Sequence, residues 1–394
     1  MGIRRGHVWN GQLLSRGPPT TINTADPYHK EGFEQTNMKR ILIVSTEQHS
    51  GKSLLSLALG KTLQDQGQDI AYMKPISFEV TYETGEPMDR DADAIRALLR
   101  LNDDLRDIAP VPLEGPFLRE AIESGDRGFR ARIRDSFARL SQGRDAAVIE
   151  GRSYLGMGVS AGLGDPDLAE LLDADVLLIT HYESDEAIDR ILCALRMFEP
   201  GPRLLGVILK GVPMDRTFQH LSEVLVTFLA SRGAEVLGII PYNPNLEIVS
   251  SHEIVKRLGG QLLTPPAIER EIRHFVIGAM GVEASLRMFR RTPELGVITG
   301  GDREDIHHAA LEVANLRCLI LTGASRPTRD VIEKATAQQI PIILAGQNTM
   351  VTADACESSL RRVWIHPGPT LDAAINYVRS NVDVSRIYEK ARDV

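Results

Sequence analysis

The stretch from Ile41 to Ser53 constrains the fold of this chain more than any other. Ile41–Val44 is a continuous apolar run that runs into Ser45-Thr46-Glu47-Gln48-His49-Ser50-Gly51-Lys52-Ser53. Leu54, Leu55, Leu57, Leu59 and Leu63 then recur at helical spacing through Ser53–Gln66. A buried strand, a turn closed by Gly-Lys-Ser and a helix is the arrangement that wraps backbone around a phosphate, written G-x-x-x-x-G-K-[ST]. The Gly-Lys-Ser end is intact, whereas Thr46 stands at the first glycine. Gly51 lets the backbone approach an anion closely. Loop N–H groups and the helix N-terminus attract negative oxygens. Lys52 reaches the outer phosphates, and the Ser53 hydroxyl is suited to Mg²⁺. The expectation is a nucleoside triphosphate site made by Thr46, Glu47, His49, Ser50, Gly51, Lys52, Ser53 and Leu54. The competing reading is a Gly-Lys-Ser helix start without a ligand, which the flanking strand and helix oppose.

From Met38 onward, strand-like and helix-like segments alternate. Strands are expected at Arg40–Ser45, Ile70–Met73, Ala146–Ile149, Val176–Thr180, Leu205–Leu209 and Val236–Ile240. Helices include Ser184–Met197, with Ser184 as N-cap, and Arg216–Ser231. Continuous apolar strands alternating with helices predict an α/β fold, a parallel sheet with helices on both faces. Ligands of such sheets bind at the carboxyl ends of the strands. A second, smaller α/β pattern follows: strands at Gly296–Thr299, Leu316–Leu321 and Pro341–Leu344, helices at Asp302–Val313, Thr328–Ala337 and Thr370–Arg379. The expected division is 38–245 for the nucleotide-binding domain, 246–280 for a linker and connecting helix, and 281–394 for the smaller domain. Residues 1–37 are polar, show no period and lack the apolar core of a secretory signal. They are expected to be a disordered tail, or to precede a translation start at Met38.

Charge and cysteine usage exclude several roles. Lys and Arg number 45 against 53 Asp and Glu, a net charge of −8. An acidic chain lacks the basic surface that nucleic acid requires, and the short run Arg287–Arg291 reads as a solvated face. Cys193, Cys318 and Cys356 are far apart and show no metal-binding spacing, which fits reduced thiols in a cytoplasmic protein. No apolar run is long enough to span a bilayer, so no membrane association is expected.

The loop with Thr46 at the first glycine position resembles the dethiobiotin synthetase branch of P-loop proteins. Lys74-Pro75 after the second strand, Asp91-Ala92-Asp93-Ala94, Glu150-Gly151 and Gly238-Ile239-Ile240-Pro241 resemble further motifs of that branch. In the second half, Val297-Ile298-Thr299-Gly300-Gly301-Asp302-Arg303, Leu321-Thr322-Gly323 and Pro341-Ile342-Ile343 resemble a DRTGG domain. Their order is similar to the regulatory region of long phosphate acetyltransferases, over roughly Met38–Val382. Those enzymes continue into an acetyltransferase domain. The sequence stops at Val394, so acetyl transfer is not expected of it. The resemblance implies ATP and Mg²⁺ as ligands, with Ser53, Asp93 and Glu150 at the metal. It implies Lys52 and Lys74 as the catalytic cations, Lys74 facing a carboxylate or phosphate. Lys210 stands where related enzymes have an Asn that reads the base, which leaves base specificity open.

Other residues carry weaker signals. His307 and His308 are adjacent on a helix and point in different directions, so ordinary packing roles are expected. Gly300-Gly301-Asp302 forms an anion-friendly turn, with Asp302 as an N-cap or part of a second ligand site. Three functions stay open: a nucleotide-dependent regulator or sensor of a metabolic enzyme, responding also to a small-molecule effector; an ATP-dependent ligase acting on a small carboxylate or carbamate; and an assembly factor. Related P-loop domains pair about a two-fold axis, so a homodimer or higher homo-oligomer is expected by analogy.

Overall fold

A computed structural model describes residues 38–77, 80–81, 87–113, 128–214, 216–246, 248–360, 365 and 368–394. The apolar runs form strands β1 (Lys39–Ser45), β2 (Ile70–Met73), β3 (Ala146–Glu150), β4 (Asp175–His181), β5 (Leu204–Val212) and β6 (Val236–Pro241). Among the described residues these make one sheet in the order β6-β5-β4-β1-β3-β2, parallel throughout. Ile41, Leu42, Ile43 and Val44 are fully buried at its centre. β1 pairs with β3 from Lys39↔Ala146 and with β4 from Ile41↔Asp175, so the carboxyl ends of three central strands finish together. Burial on both faces explains why these strands read as unbroken apolar runs rather than alternating ones.

Helix α1 (Lys52–Asp65) leaves the end of β1 directly. Gly60 lets it lie close to its neighbours, since a Cβ there would sit 3.0 Å from Ile70 Cδ1 and 3.1 Å from the Leu99 methyls. Helix α2 (Arg90–Leu98) starts at Asp89, whose side chain accepts from Ala92 N. Helix α3 (Asp165–Leu171) precedes β4, and α4 (Glu186–Met197) follows it. The residue at the N-cap of α4 is Asp185, not Ser184; Ser184 contributes its carbonyl to Ala187 N.

The segment 246–280, expected as a linker and connecting helix, does carry a helix. Helix α5 (Ser251–Leu258) opens on a capping box in which Ser250 Oγ accepts from Glu253 N and Glu253 Oε2 accepts from Ser250 N. A second sheet follows, of β7 (Gln261–Leu262), β8 (His274–Ile277), β9 (Leu295–Gly300), β10 (Leu316–Thr322) and β11 (Ile342–Leu344). Its order among the described residues is β7-β11-β10-β9-β8, with β7 antiparallel and the others parallel. One face carries Leu319, Val331 and Ile306; the other carries Ile254 and Leu258 of α5 with Ile320, Ile343 and Cys356. Residues 246–280 are thus largely part of the second unit of packing, because the apolar side of α5 is buried against that sheet and the helix Thr349–Leu360.

Helix α6 (Glu304–Leu311) has Arg303 at its N-cap without a side-chain cap bond, so Asp302 does not cap it as expected. Arg303 instead pairs with Asp305 at the helix start. His307 is fully buried, with Nε2 3.0 Å from the Gly300 carbonyl.

The last helices return to the first sheet. Helix α7 (Pro369–Asn381) packs along α1 and β6, and Val382 bridges to Gly238. After α8 (Val384–Lys390), Arg392 binds Asp175 of β4 through its backbone N (2.8 Å) and Nε (2.7 Å). The expected span 281–394 is therefore too long for the smaller domain: residues 369–394 cover the first sheet. No described helix is long and apolar enough to cross a membrane.

Candidate nucleotide site

The turn between β1 and α1 depends on two left-handed backbone positions, His49 (φ 56°) and Gly51 (φ 98°). The second suits glycine alone. Lys52, the first residue of α1, turns back under the loop, where Nζ donates to Ser45 Oγ at 2.6 Å and to the Ser153 carbonyl at 3.0 Å. Its ammonium is nearly all buried, and burial lowers its pKa against the opposing pull of Glu150 and Asp165. Ser50 is 1% exposed, and its hydroxyl has no hydrogen-bond partner among the described residues. A buried hydroxyl without a partner is costly unless something fills the position.

Glu150 ends β3 and is held at both oxygens. Ser53 Oγ donates to Oε1 at 2.8 Å, and Tyr72 Oη donates to Oε2 at 3.0 Å. Burial, then Glu150, raise the Tyr72 pKa far above its usual value, so the phenol stays a donor. Ser53 and Glu150 thus stand together as the sequence predicts. The glycine after them is sterically required: a Cβ on Gly151 would lie 2.8 Å from the Ile43 carbonyl and 2.8 Å from Asp165 Oδ1.

Lys74 follows β2, and its ammonium meets Asp89 at 2.8 Å, with Asp89 2% exposed in its side chain. Burial works to lower the Lys74 pKa, but Asp89, Glu150 and Asp91 outweigh it and raise it. Lys74 is therefore a fixed cation rather than a base.

One cavity of about 290 Å³ has Gln48, His49, Ser50, Gly51, Lys52, Ser53, Leu54, Lys74, Asp91, Glu150, Ser153 and Arg257 in its wall, with Tyr72 and Asp89 behind Glu150 and Lys74. Asp93 is not among them. It binds Arg96 at 2.7 Å, half-exposed on α2. Two residues along a helix turn the side chain by about 200°, so Asp91 and Asp93 cannot face the same cavity, and α2 presents Asp91. Thr46 and Glu47 are also absent from the wall. Glu47 accepts from His181 N at 2.6 Å and from the hydroxyls of Thr46 and Thr180, so the pair fastens the loop to the end of β4.

A smaller, mostly apolar cavity of about 50 Å³ lies on the other side of Gly51, between Ile179, Ile240, Pro241, Leu246, Leu360 and Tyr377. Lys210 borders it, its ammonium 3.2 Å from where a Gly51 Cβ would be. Lys210 is thus a further cation at the loop, not simply a substitute for a base-reading Asn. Among the described residues no cluster of three His, Cys, Asp or Glu is arranged to hold a metal alone. Mg²⁺ with a nucleotide takes only one or two carboxylates, the rest being water and phosphate oxygen. The Ser53–Glu150 pair, open to the cavity beside a partnerless Ser50 hydroxyl, fits that requirement.

Tyr72, Asp89, Ser153 and Arg257 carry no signal in the sequence motifs, and within the motif Asp91-Ala92-Asp93-Ala94 it is Asp91 rather than the expected Asp93 that reaches the cavity.

Asp165 lies behind the loop, fully buried, with Oδ1 accepting from Arg152 N at 2.8 Å. Burial pushes its carboxyl up from 3.8 to about 6, against the pull of that hydrogen bond and of Lys52. A carboxyl with a raised folded-state pKa binds its proton more tightly when folded. Its contribution to stability is full below about pH 4 and is lost as pH rises to about 6, a change of roughly 3 kcal/mol. Urea unfolding of the wild type minus that of Asp165→Asn should show this decline between pH 4 and 6; a flat difference would contradict it.

The sheet order, the loop at the central strand and the following helix define a P-loop NTPase-type α/β fold joined to a smaller α/β unit. A family described as an AAA domain matches residues 39–250, more than half the chain, and the chain belongs to that family. A DRTGG domain matches residues 253–359. The phosphate acetyltransferase of Pseudomonas putida is 25% identical over 373 residues, covering 90% of this chain and 52% of the relative. That of Deinococcus radiodurans is 24% identical and covers 88% and 50%. The chain spans about half the length of these curated relatives. The ATP-dependent dethiobiotin synthetase BioD of Methanococcus vannielii is 23% identical over 51% of this chain and 92% of its own. Among solved structures, the MinD cell division protein of Aquifex aeolicus covers 53% of this chain and 84% of its own at 18% identity, with a TM-score of 0.32, too loose a likeness to carry an argument.

Proposed function

We propose that this chain binds ATP with Mg²⁺ at the loop Ser45–Ser53 and acts as a nucleotide-dependent regulator or sensor of a metabolic enzyme. The observation that carries the binding is the convergence of Lys52, Lys74, the partnerless Ser50 hydroxyl and the Ser53–Glu150 pair on one cavity at the end of the central strand. Two cations and a helix N-terminus favour a polyanion there. Ser53, Glu150 and Asp91 are the groups that would hold Mg²⁺, which when bound neutralises phosphate charge. The small apolar cavity beyond Gly51 suits the nucleoside, with Lys210 between the two. Regulation rather than chemistry is favoured by the second half, which contributes Arg257 to the phosphate cavity and Leu360 to the nucleoside pocket. The likeness to phosphate acetyltransferases points to acetyl-group metabolism as its setting.

A second reading, an ATP-dependent ligase acting on a small carboxylate or carbamate, draws on Lys74 lining the same cavity as Lys52. In such a reaction Lys52 and Lys74 would position and neutralise the transferred phosphoryl group. Phosphate release by the full chain separates the two. A regulator binds ATP with turnover that no small carboxylate or amine accelerates. Steady, substrate-stimulated release favours the ligase and defeats the regulator.

A further inference from the structure

Arg257 lies some 200 residues beyond the phosphate loop, yet it lines the phosphate cavity beside Lys52, Ser53 and Glu150. It is carried by α5, and that helix belongs to the second sheet's packing. Ile254 and Leu258, on either side of Arg257 along the helix, are buried in the core that holds Val249, Ile272 and Ile320. The capping box at Ser250 and Glu253 fixes the start of the helix one turn before Arg257. Arg257 is therefore anchored to the second half at its backbone and turned toward the first half at its tip.

The other cations at the site have protein partners. Lys52 donates to Ser45 and Ser153, and Lys74 is paired with Asp89. Arg257 is exposed, and among the described residues it makes neither an ion pair nor a hydrogen bond. A guanidinium with its donors unspent, in a cavity that already holds two ammonium groups, is suited to a polyanion. Its planar fork matches a phosphate group with two parallel hydrogen bonds.

A second contact runs the same way. The helix Thr349–Leu360, which packs on α5, brings Leu360 to the nucleoside-side cavity. The second half thus touches both cavities beside Gly51, one through a cation and the other through an apolar side chain.

We infer that Arg257 is a phosphate-binding residue supplied by the DRTGG-like half, and that it couples nucleotide binding to the placement of α5. The inference rests on the nucleotide site proposed above. Coupling is reciprocal: a bound phosphate chain braces α5, and whatever displaces α5 weakens the nucleotide. An effector or partner acting on the second half thereby gains control of the loop without touching it.

The test uses the full chain with ATP and Mg²⁺, comparing wild type, Arg257→Ala and Arg257→Lys. Calorimetry gives affinity, and hydrogen exchange gives protection of the 251–258 backbone. Arg257→Ala is expected to weaken ATP by about tenfold or more, the effect of losing charge-assisted bonds to phosphate. Arg257→Lys is expected to recover part of the loss. ATP is expected to slow exchange in 251–258 in the wild type and not in Arg257→Ala. A wild type that binds ATP, with Arg257→Ala binding equally well and showing the same protection, would overturn the inference and leave the nucleotide site standing. A wild type that binds no nucleotide would overturn both.

Discussion

Lys52→Ala is expected to weaken ATP binding by on the order of 100-fold, without loss of the fold. Lys52 is held under the loop by Ser45 and the Ser153 carbonyl. A hydrogen bond to a charged group contributes about 1.5–3 kcal/mol, and each 1.4 kcal/mol is about tenfold in affinity. Two such bonds to phosphate reach the stated factor. The fold survives because the loop has other fastenings. Glu47 remains tied to His181 and Thr180, and Ser45 Oγ still donates to the Glu47 carbonyl at 2.8 Å. Calorimetric titration of the variant checks affinity, and its circular dichroism melt checks the fold. Unchanged affinity in a folded variant would mean that the cavity takes its ligand without Lys52.

Asp89→Ala is expected to cost stability, about 4–6 kcal/mol. The change removes the side-chain cap of α2, worth about 1 kcal/mol. It also strips Lys74 of its partner at 2.8 Å, where Lys74 is 15% and Asp89 2% exposed. Breaking a buried pair from one side leaves an uncompensated charge, which costs about 3–5 kcal/mol. Asp89→Asn keeps an acceptor for Ala92 N and should cost less than the alanine. The double variant Lys74→Met with Asp89→Ala should regain much of the loss, because the stranded charge is gone. Urea unfolding midpoints decide this, and an alanine variant as stable as the wild type would refute the account of the pair.

The first sheet was legible because its strands are buried on both faces and so appear as unbroken apolar runs. All six lie within two or three residues of where the sequence places them. β7 and β8 were not legible. Gln261–Leu262 is too short to show a period, and His274–Ile277 is only partly buried and flanked by arginine. The return of α7 and α8 to the first sheet depends on partners far apart in sequence, such as Arg392 with Asp175, which no local pattern records.

In the site, the Gly-Lys-Ser turn was readable because a phosphate loop needs it at fixed spacing, and Glu150 because it ends a buried strand just before Gly151. The choice between Asp91 and Asp93 was not, since it turns on the phase of α2 around its axis. Thr46 and Glu47 belong to the loop in sequence, but their side chains fasten it to β4. Lys210 reads as a lost Asn in the sequence; in the structure its ammonium lies close to Gly51 at the loop.

The central claim is that the loop Ser45–Ser53 binds a nucleoside triphosphate with Mg²⁺. Calorimetric titration of the full chain with ATP, with Mg²⁺ present and then chelated, tests it most directly. The account predicts one ATP per chain, tight with Mg²⁺ and much weaker without it. Absence of binding in both conditions, from a chain shown to be folded, would contradict the account and make the loop a purely structural turn.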